Sequence, residues 1–211
     1  MVYPLVFCSL NRIFVPMNSN PMMPTVDCDN VIVVDADFAD KVAFDLIVNF
    51  ERMLGRRISN ADMARWLDCL ALDGGVREGQ QQTQVALVHS KTKKGMEYFS
   101  PANFDEELNG KAFSDNLGEF VINTFSEQDI ISRQQLLVDM VSLCAAAKEV
   151  KRLVIVPDEA DYDAVRHALR QTDDDKRVTV LAMQPMPGGN FRQEILGYSL
   201  MNALGISADE L

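Results

Sequence analysis

Histidine is nearly absent from this chain of 211 residues, with His89 and His167 the only two. That scarcity argues against a zinc site of the His/Cys kind, and no Cys–His pair is marked for nucleophilic catalysis. Paired cysteines are absent too. Cys8, Cys28, Cys69 and Cys144 stand far apart with no CxxC arrangement, so they read as reduced thiols of a cytoplasmic protein rather than a disulfide framework. Bases are outnumbered, 20 against 31 acids, for a formal net charge of −11. A broad electrostatic grip on nucleic acid or an anionic membrane needs a basic face, which this balance opposes. A small local basic patch, or a metal drawn in by the acids, stays open. No apolar run approaches the ~20 residues that span a bilayer. The opening stretch "MVYPLVFCSLNRIFVPMNSNPMMP" lacks a basic leader and a clear small-residue cleavage site, so residues 1–28 read as an extension outside the core rather than a signal peptide. Met22 or Met23 is an alternative start, and the fold proper begins near Asp29.

From there to residue 211 the length and the 47% hydrophobic content suit one globular domain. Strand-like runs alternate with helical patterns. The expected strands are 30–36, 84–89, 119–125, 152–157 and 177–183. Helices are expected at about 39–54, from a cap at Ser59 to the "DGG" at 73–75, at about 130–149, through "EADYDAVRHALRQ", and from about Asn190 to Leu204. Residues 91–118, rich in Gly, Asn, Ser and Lys, read as an irregular insertion with a short extended piece at "MEYF" and a helical turn near "FDEELNG". Alternation of this kind means βαβ crossovers. The unbroken apolar runs "VIVV" and "LVIV" mean strands covered on both faces. The expected class is α/β: a three-layer α/β/α sandwich around a mostly parallel five-stranded sheet, Rossmann-like.

Acids fall where such sheets build sites, at the carboxyl ends of strands. "NVIVVDADFADKV" ends the first strand in Asp35 and Asp37. "LVIVPDEADYD" ends the fourth in Asp158, Glu159 and Asp161, with Asp163 a solvated helix residue. Two carboxylates ~4 Å apart repel by ~4 kcal/mol at an effective dielectric of ~20. A hard divalent cation such as Mg2+ or Mn2+ would remove that cost and could activate water at a phosphoryl centre. The plainer reading is that these acids cap helices, whose amino ends favour negative charge. Both readings stand on the residues alone.

"KRLVIVPDEADYDAVRHALRQTDDDKRVTVLAM" resembles the carboxyl-terminal core of NYN domains, relatives of the PIN-type nucleases. There a strand ends in Ser-Gly-Asp-x-Asp-Phe, followed by a helix and a further strand. "VIVVDADFAD" sits where that family places its first metal-binding aspartate. Asp139, in "LLVDMVSLCAAAKEV", falls at a further acid of the pattern. The resemblance covers about residues 30–50 and 135–185. It implies Asp35, Asp139, Glu159 and Asp161 as metal acids, nucleic acid as the partner, and Lys91, Lys93 and Lys94 as phosphate contacts. Pro157-Asp158 replaces the Ser-Gly and Glu159 the first acid, so the version implied is a degenerate one. The rival from another class is a non-enzymatic protein-interaction or small-ligand-binding α/β module, with a homodimer as one form. A third pattern, that of haloacid-dehalogenase-like phosphatases, would use Asp35 and Asp37 with Ser90, Lys148 or Lys151, and Asp158 with Asp161. The helix starting by Ala39 leaves no room for that family's flap. "PMPGGNF" at 185–191 fits no phosphate-loop spacing and reads as a plain turn.

Overall fold

The computed structural model describes residues 15–16 and 28–210. Most of the expected extension, with Cys8, Met22 and Met23, lies outside the described residues. Within it, β1 (Val15–Pro16) pairs antiparallel at the edge of the main sheet. The core begins with β2 (Asn30–Asp35), all six residues buried, and runs into α1 (Ala36–Leu54) with no loop between them. β3 (Ala61–Asp62) and α2 (Met63–Asp73) follow, then β4 (Gln82–His89), β5 (Phe99–Ser100), β6 (Lys111–Asp115) and β7 (Gly118–Ser126). The second half holds α3 (Arg133–Ala146), β8 (Arg152–Val156), α4 (Tyr162–Ala168), β9 (Arg177–Ala182), β10 (Arg192–Ile195) and α5 (Leu196–Ala203).

The main sheet has eight strands in the order β1-β6-β7-β4-β2-β8-β9-β10. From β7 to β10 every pair is parallel, while β6 joins β7 and β1 joins β6 antiparallel. The expected count of five is therefore corrected to eight. All five expected strands are present, and the additions are edge pieces. Their side chains carry little apolar signal: β10, "RQEI", alternates exposed and half-buried residues and is held by pairing with β9. The last helix consequently starts at Leu196 rather than near Asn190.

Successive residues of the central strand go to opposite faces, as the two-residue period of a strand requires. Ile32 and Val34 join a core with residues of α1, α2 and α5, whereas Val31 and Val33 join one with α3 and α4. Trp66 of α2, fully buried, donates its indole N–H to Ser199 Oγ of α5 at 3.2 Å, so the largest apolar side chain also finds a polar partner.

Two further expectations change. Ser59 does not cap α2; Asp62 does, accepting from Arg65 N at 3.0 Å, because Ala61–Asp62 is held extended against Phe99–Ser100. The 91–118 segment has a helical turn within the expected "FDEELNG" and an extended piece overlapping "MEYF" at Phe99, and it adds a strand that was not expected. It contributes β5, a π-helical turn at Phe104–Leu108, and a tight hairpin from β6 to β7. The buried Asp40 of α1 ties it down, accepting from Tyr98 N at 2.9 Å and pairing with Lys93 Nζ at 3.2 Å.

Candidate functional site

The acid-ended strands β2 and β8 are neighbours, with Val34 opposite Val156. Strands β4 and β7 lie to one side of β2, and β8, β9 and β10 to the other. The order reverses at this junction, the place where open α/β sheets form crevices at their carboxyl ends.

Asp35, the last residue of β2, has no exposed surface. Its Oδ1 accepts from Phe38 N at 2.9 Å, which makes it the N-cap of α1. The same oxygen faces Arg133 Nη1 at 2.9 Å. Its Oδ2 is buried without a hydrogen-bond partner among the described residues. Burial, offset in part by Phe38 N and Arg133 and reinforced by Asp37 and Asp158, lifts its pKa from the ordinary 3.8 to about 6.

Arg133 is the hub. Its Nη1 also lies 3.2 Å from Asp37 Oδ2, and its Nη2 lies 3.7 Å from Asp158 Oδ2. Asp37 Oδ1 accepts from Ser90 N at 3.3 Å. Asp158 Oδ1 accepts from Ala160 N at 3.0 Å and caps the single 3-10 turn Glu159–Asp161. The next residue of α3, Gln134, donates to Asp161 Oδ1. Asp161 is buried, and its pKa is raised by that burial and then by Asp158, against Arg133 and Gln134.

Of the six expected metal acids, four gather here: Asp35, Asp37, Asp158 and Asp161. Asp139 does not, being exposed on α3 and accepting from Gln135 Nε2 of its own helix at 2.7 Å. Glu159 turns instead toward Gln184, 3.5 Å away. The cap reading holds for Asp35 and Asp158, and the gathering at one edge holds as well. Lys148 and Lys151 precede β8, at the opposite end of the strand from these acids, and Lys151 pairs with Asp29 at 2.8 Å. Lys91 is paired with Asp129 at 2.7 Å and Lys93 with Asp40, so two of the three lysines assigned to phosphate are engaged by carboxylates.

A hard divalent cation takes six or more oxygen ligands. Among the described residues, no group of three or more His, Cys, Asp or Glu side chains is arranged to hold a metal. The guanidinium of Arg133 instead lies within 3.7 Å of three of the acids, on one oxygen each of Asp35, Asp37 and Asp158. Arg133 was not foreseen from the sequence, although it carried a signal. It is the first residue of α3, after the cap Ser132, and a cation at a helix amino end opposes the macrodipole unless carboxylates answer it.

The fold and site define a mixed α/β protein with a large, mostly parallel sheet and an arginine-bridged acidic cluster at its carboxyl edge. Residues 27–211 match the model of a family described as Family of unknown function (DUF6621), and the chain belongs to that family. No curated protein and no solved structure matches the chain. Among the described residues, no helix is long and apolar enough to cross a membrane.

Proposed function

We propose that this chain is a non-enzymatic α/β binding module of the cytoplasm, with a three-layer, Rossmann-like architecture. The architecture is supported by the two cores on opposite faces of the sheet. It is also supported by the order of the six parallel strands: numbered as they occur in the chain, they run 3-2-1-4-5-6, as in doubly wound nucleotide-binding folds. Cys144 is buried, and burial followed by the nearby Cys28 pushes its thiol up to about 12, as for a cysteine that packs in the core.

The observation that carries the binding reading is Arg133 seated between Asp35, Asp37 and Asp158. Part of the charge that the acids need is supplied by the chain itself, which supports a reading without a catalytic metal. Thermal denaturation with millimolar Mn2+ tests it. The expected result is an unchanged midpoint. A ligand at ~100 times its dissociation constant adds ~2.7 kcal/mol, and a stabilisation of that order would overturn the reading.

A second reading, the degenerate NYN/PIN-like phosphodiesterase, is favoured by a separate observation. Two acid-ended strands are adjacent, and Asp35 Oδ2 is buried without a partner among the described residues. In that reading Mn2+ stabilises the wild type, and Asp35→Asn abolishes the effect. An Asn variant that keeps the full metal response would sink it.

A further inference from the structure

The opposite end of the same sheet carries the reverse charge. β8 and β9 both start on arginine, and the parallel register sets Arg152 directly opposite Arg177. Like charges in directly opposed positions destabilise a sheet. Arg177 reaches across the end of α2, where its Nη2 donates to Asp73 O at 3.1 Å and its guanidinium lies against Gly75. Its Nε is buried without a partner among the described residues. Arg152 spends one donor on Asn30 Oδ1 at 3.1 Å, and Arg77 one on Val76 O at 2.9 Å.

The arginines in described ion pairs are Arg56, Arg57, Arg133 and Arg166. Arg77, Arg152, Arg177 and Arg192 take part in none among the described residues. They are nonetheless close enough that burial, followed by the charges of Arg192, Arg77 and Arg152, lowers the pKa of Arg177, with Glu194 the one opposing influence. Arg152, Arg177, Lys148 and Lys176 line a cavity of about 580 Å3, together with the exposed Asp173 and Asp175. That volume falls within the usual range of small-molecule sites, ~300–1,000 Å3. Arg177 also lines an adjoining cavity of about 390 Å3, shared with Arg192.

We propose that the amino ends of β8, β9 and β10 form an anion site for a small phosphorylated ligand, held by Lys148, Arg152, Arg177 and Arg192. The geometry of the guanidinium fork suits phosphate oxygens, which it can bind in pairs. Four unpaired arginines crowded in a protein of net charge −11 call for a compact multivalent anion. The surrounding negative field repels a long polyanion such as nucleic acid. This site lies at the far end of the strands from the acidic cluster and stands or falls independently of it.

Pyrophosphate is the probe, titrated by calorimetry and followed by thermal denaturation, with sodium chloride at matched ionic strength as control. The expected result is saturable binding and a raised midpoint in pyrophosphate alone. Lys148→Ala and Arg192→Ala, both at exposed positions lining the two cavities, should fold normally. Each removes charged hydrogen bonds and should weaken binding about tenfold. Asp173→Asn should tighten it by removing an opposing charge. Equal shifts in chloride, wild-type affinity in both of these variants, or a single-stranded oligonucleotide held more tightly than pyrophosphate would each overturn the proposal.

Discussion

The two ends of the central strands face the same electrostatic problem and meet it differently. At the carboxyl end of β2 and β8, four acids are crowded, and α3 delivers one arginine into their midst. At the amino end of β8 and β9, arginines are crowded, and no carboxylate among the described residues comes within ion-pair reach of Arg152 or Arg177. One end is partly compensated by a cation held in ion pairs, and at the other the arginines stay out of the described ion pairs. A parallel sheet aligns equivalent ends of successive strands, so repeated charge in the sequence becomes concentrated charge in space. What the chain supplies to answer it then separates a closed cluster from an open receptor.

The largest effect should come from removing the compensation. Arg133→Ala leaves Asp35 buried beside Asp37 and Asp158 without its cation, and breaking a buried pair this way costs roughly 3 kcal/mol or more. Urea unfolding at pH 7.5 should show that loss, and at pH 5 the loss should shrink as Asp35 takes up a proton. A loss of the same size at both values would mean that Arg133 acts through packing rather than charge.

The second effect is on the pH profile. The folded pKa of Asp35, about 6, lies above the ordinary 3.8, so the folded state binds more protons between those values. Its contribution to stability is therefore greatest below about pH 4, falls as pH rises toward 6, and is lowest above that. At ~1.4 kcal/mol per unit of pKa difference, the cost at neutral pH is of the order of 3 kcal/mol. Asp35→Asn keeps the cap and drops the charge. It should be at least as stable as wild type at pH 7.5, with the advantage closing near pH 4. Asp35→Ala, which also loses the cap, should fall ~1 kcal/mol below the Asn variant at every pH. If the Asn and wild-type curves run parallel from pH 4 to 7.5, the burial of Asp35 is not what shapes the cluster.

The smallest effect marks the boundary of the cluster. Asp139 bonds only within its own helix, so Asp139→Asn should change stability by less than ~0.5 kcal/mol. A larger change in a denaturation curve would bring it back among the site residues.

What was legible in the sequence follows from where the information sits. The runs "VIVV" and "LVIV" are buried on both faces, so apolar content alone marked β2 and β8, and their trailing acids marked the edge where Asp35 and Asp158 meet. β3, β6 and β10 are short, and their extended form comes from pairing with strands elsewhere in the chain, which local pattern does not encode. For Arg133 the missing fact was a partner 98 residues away. Its placement at a helix start, against the dipole, was the one local trace. Asp139 and Glu159 lie apart from the cluster because a strand-end or helix pattern fixes sequence position but not side-chain direction; one is exposed on α3 and the other faces Gln184.

The direct fusion of β2 to α1 also has a meaning for motion. With Asp35 closing the strand and capping the helix at once, that side of the crevice has no hinge. The amide of Phe38 is held by Asp35 at the end of a fully buried strand, so its exchange with solvent should be slow. Any breathing of the crevice belongs to the stretch between β7 and α3. There Gln128 and Ile131 form an isolated two-residue bridge, and Ile130 is 92% exposed. Arg133 thus follows directly on that exposed stretch, and Asp35 sits at the junction without a loop.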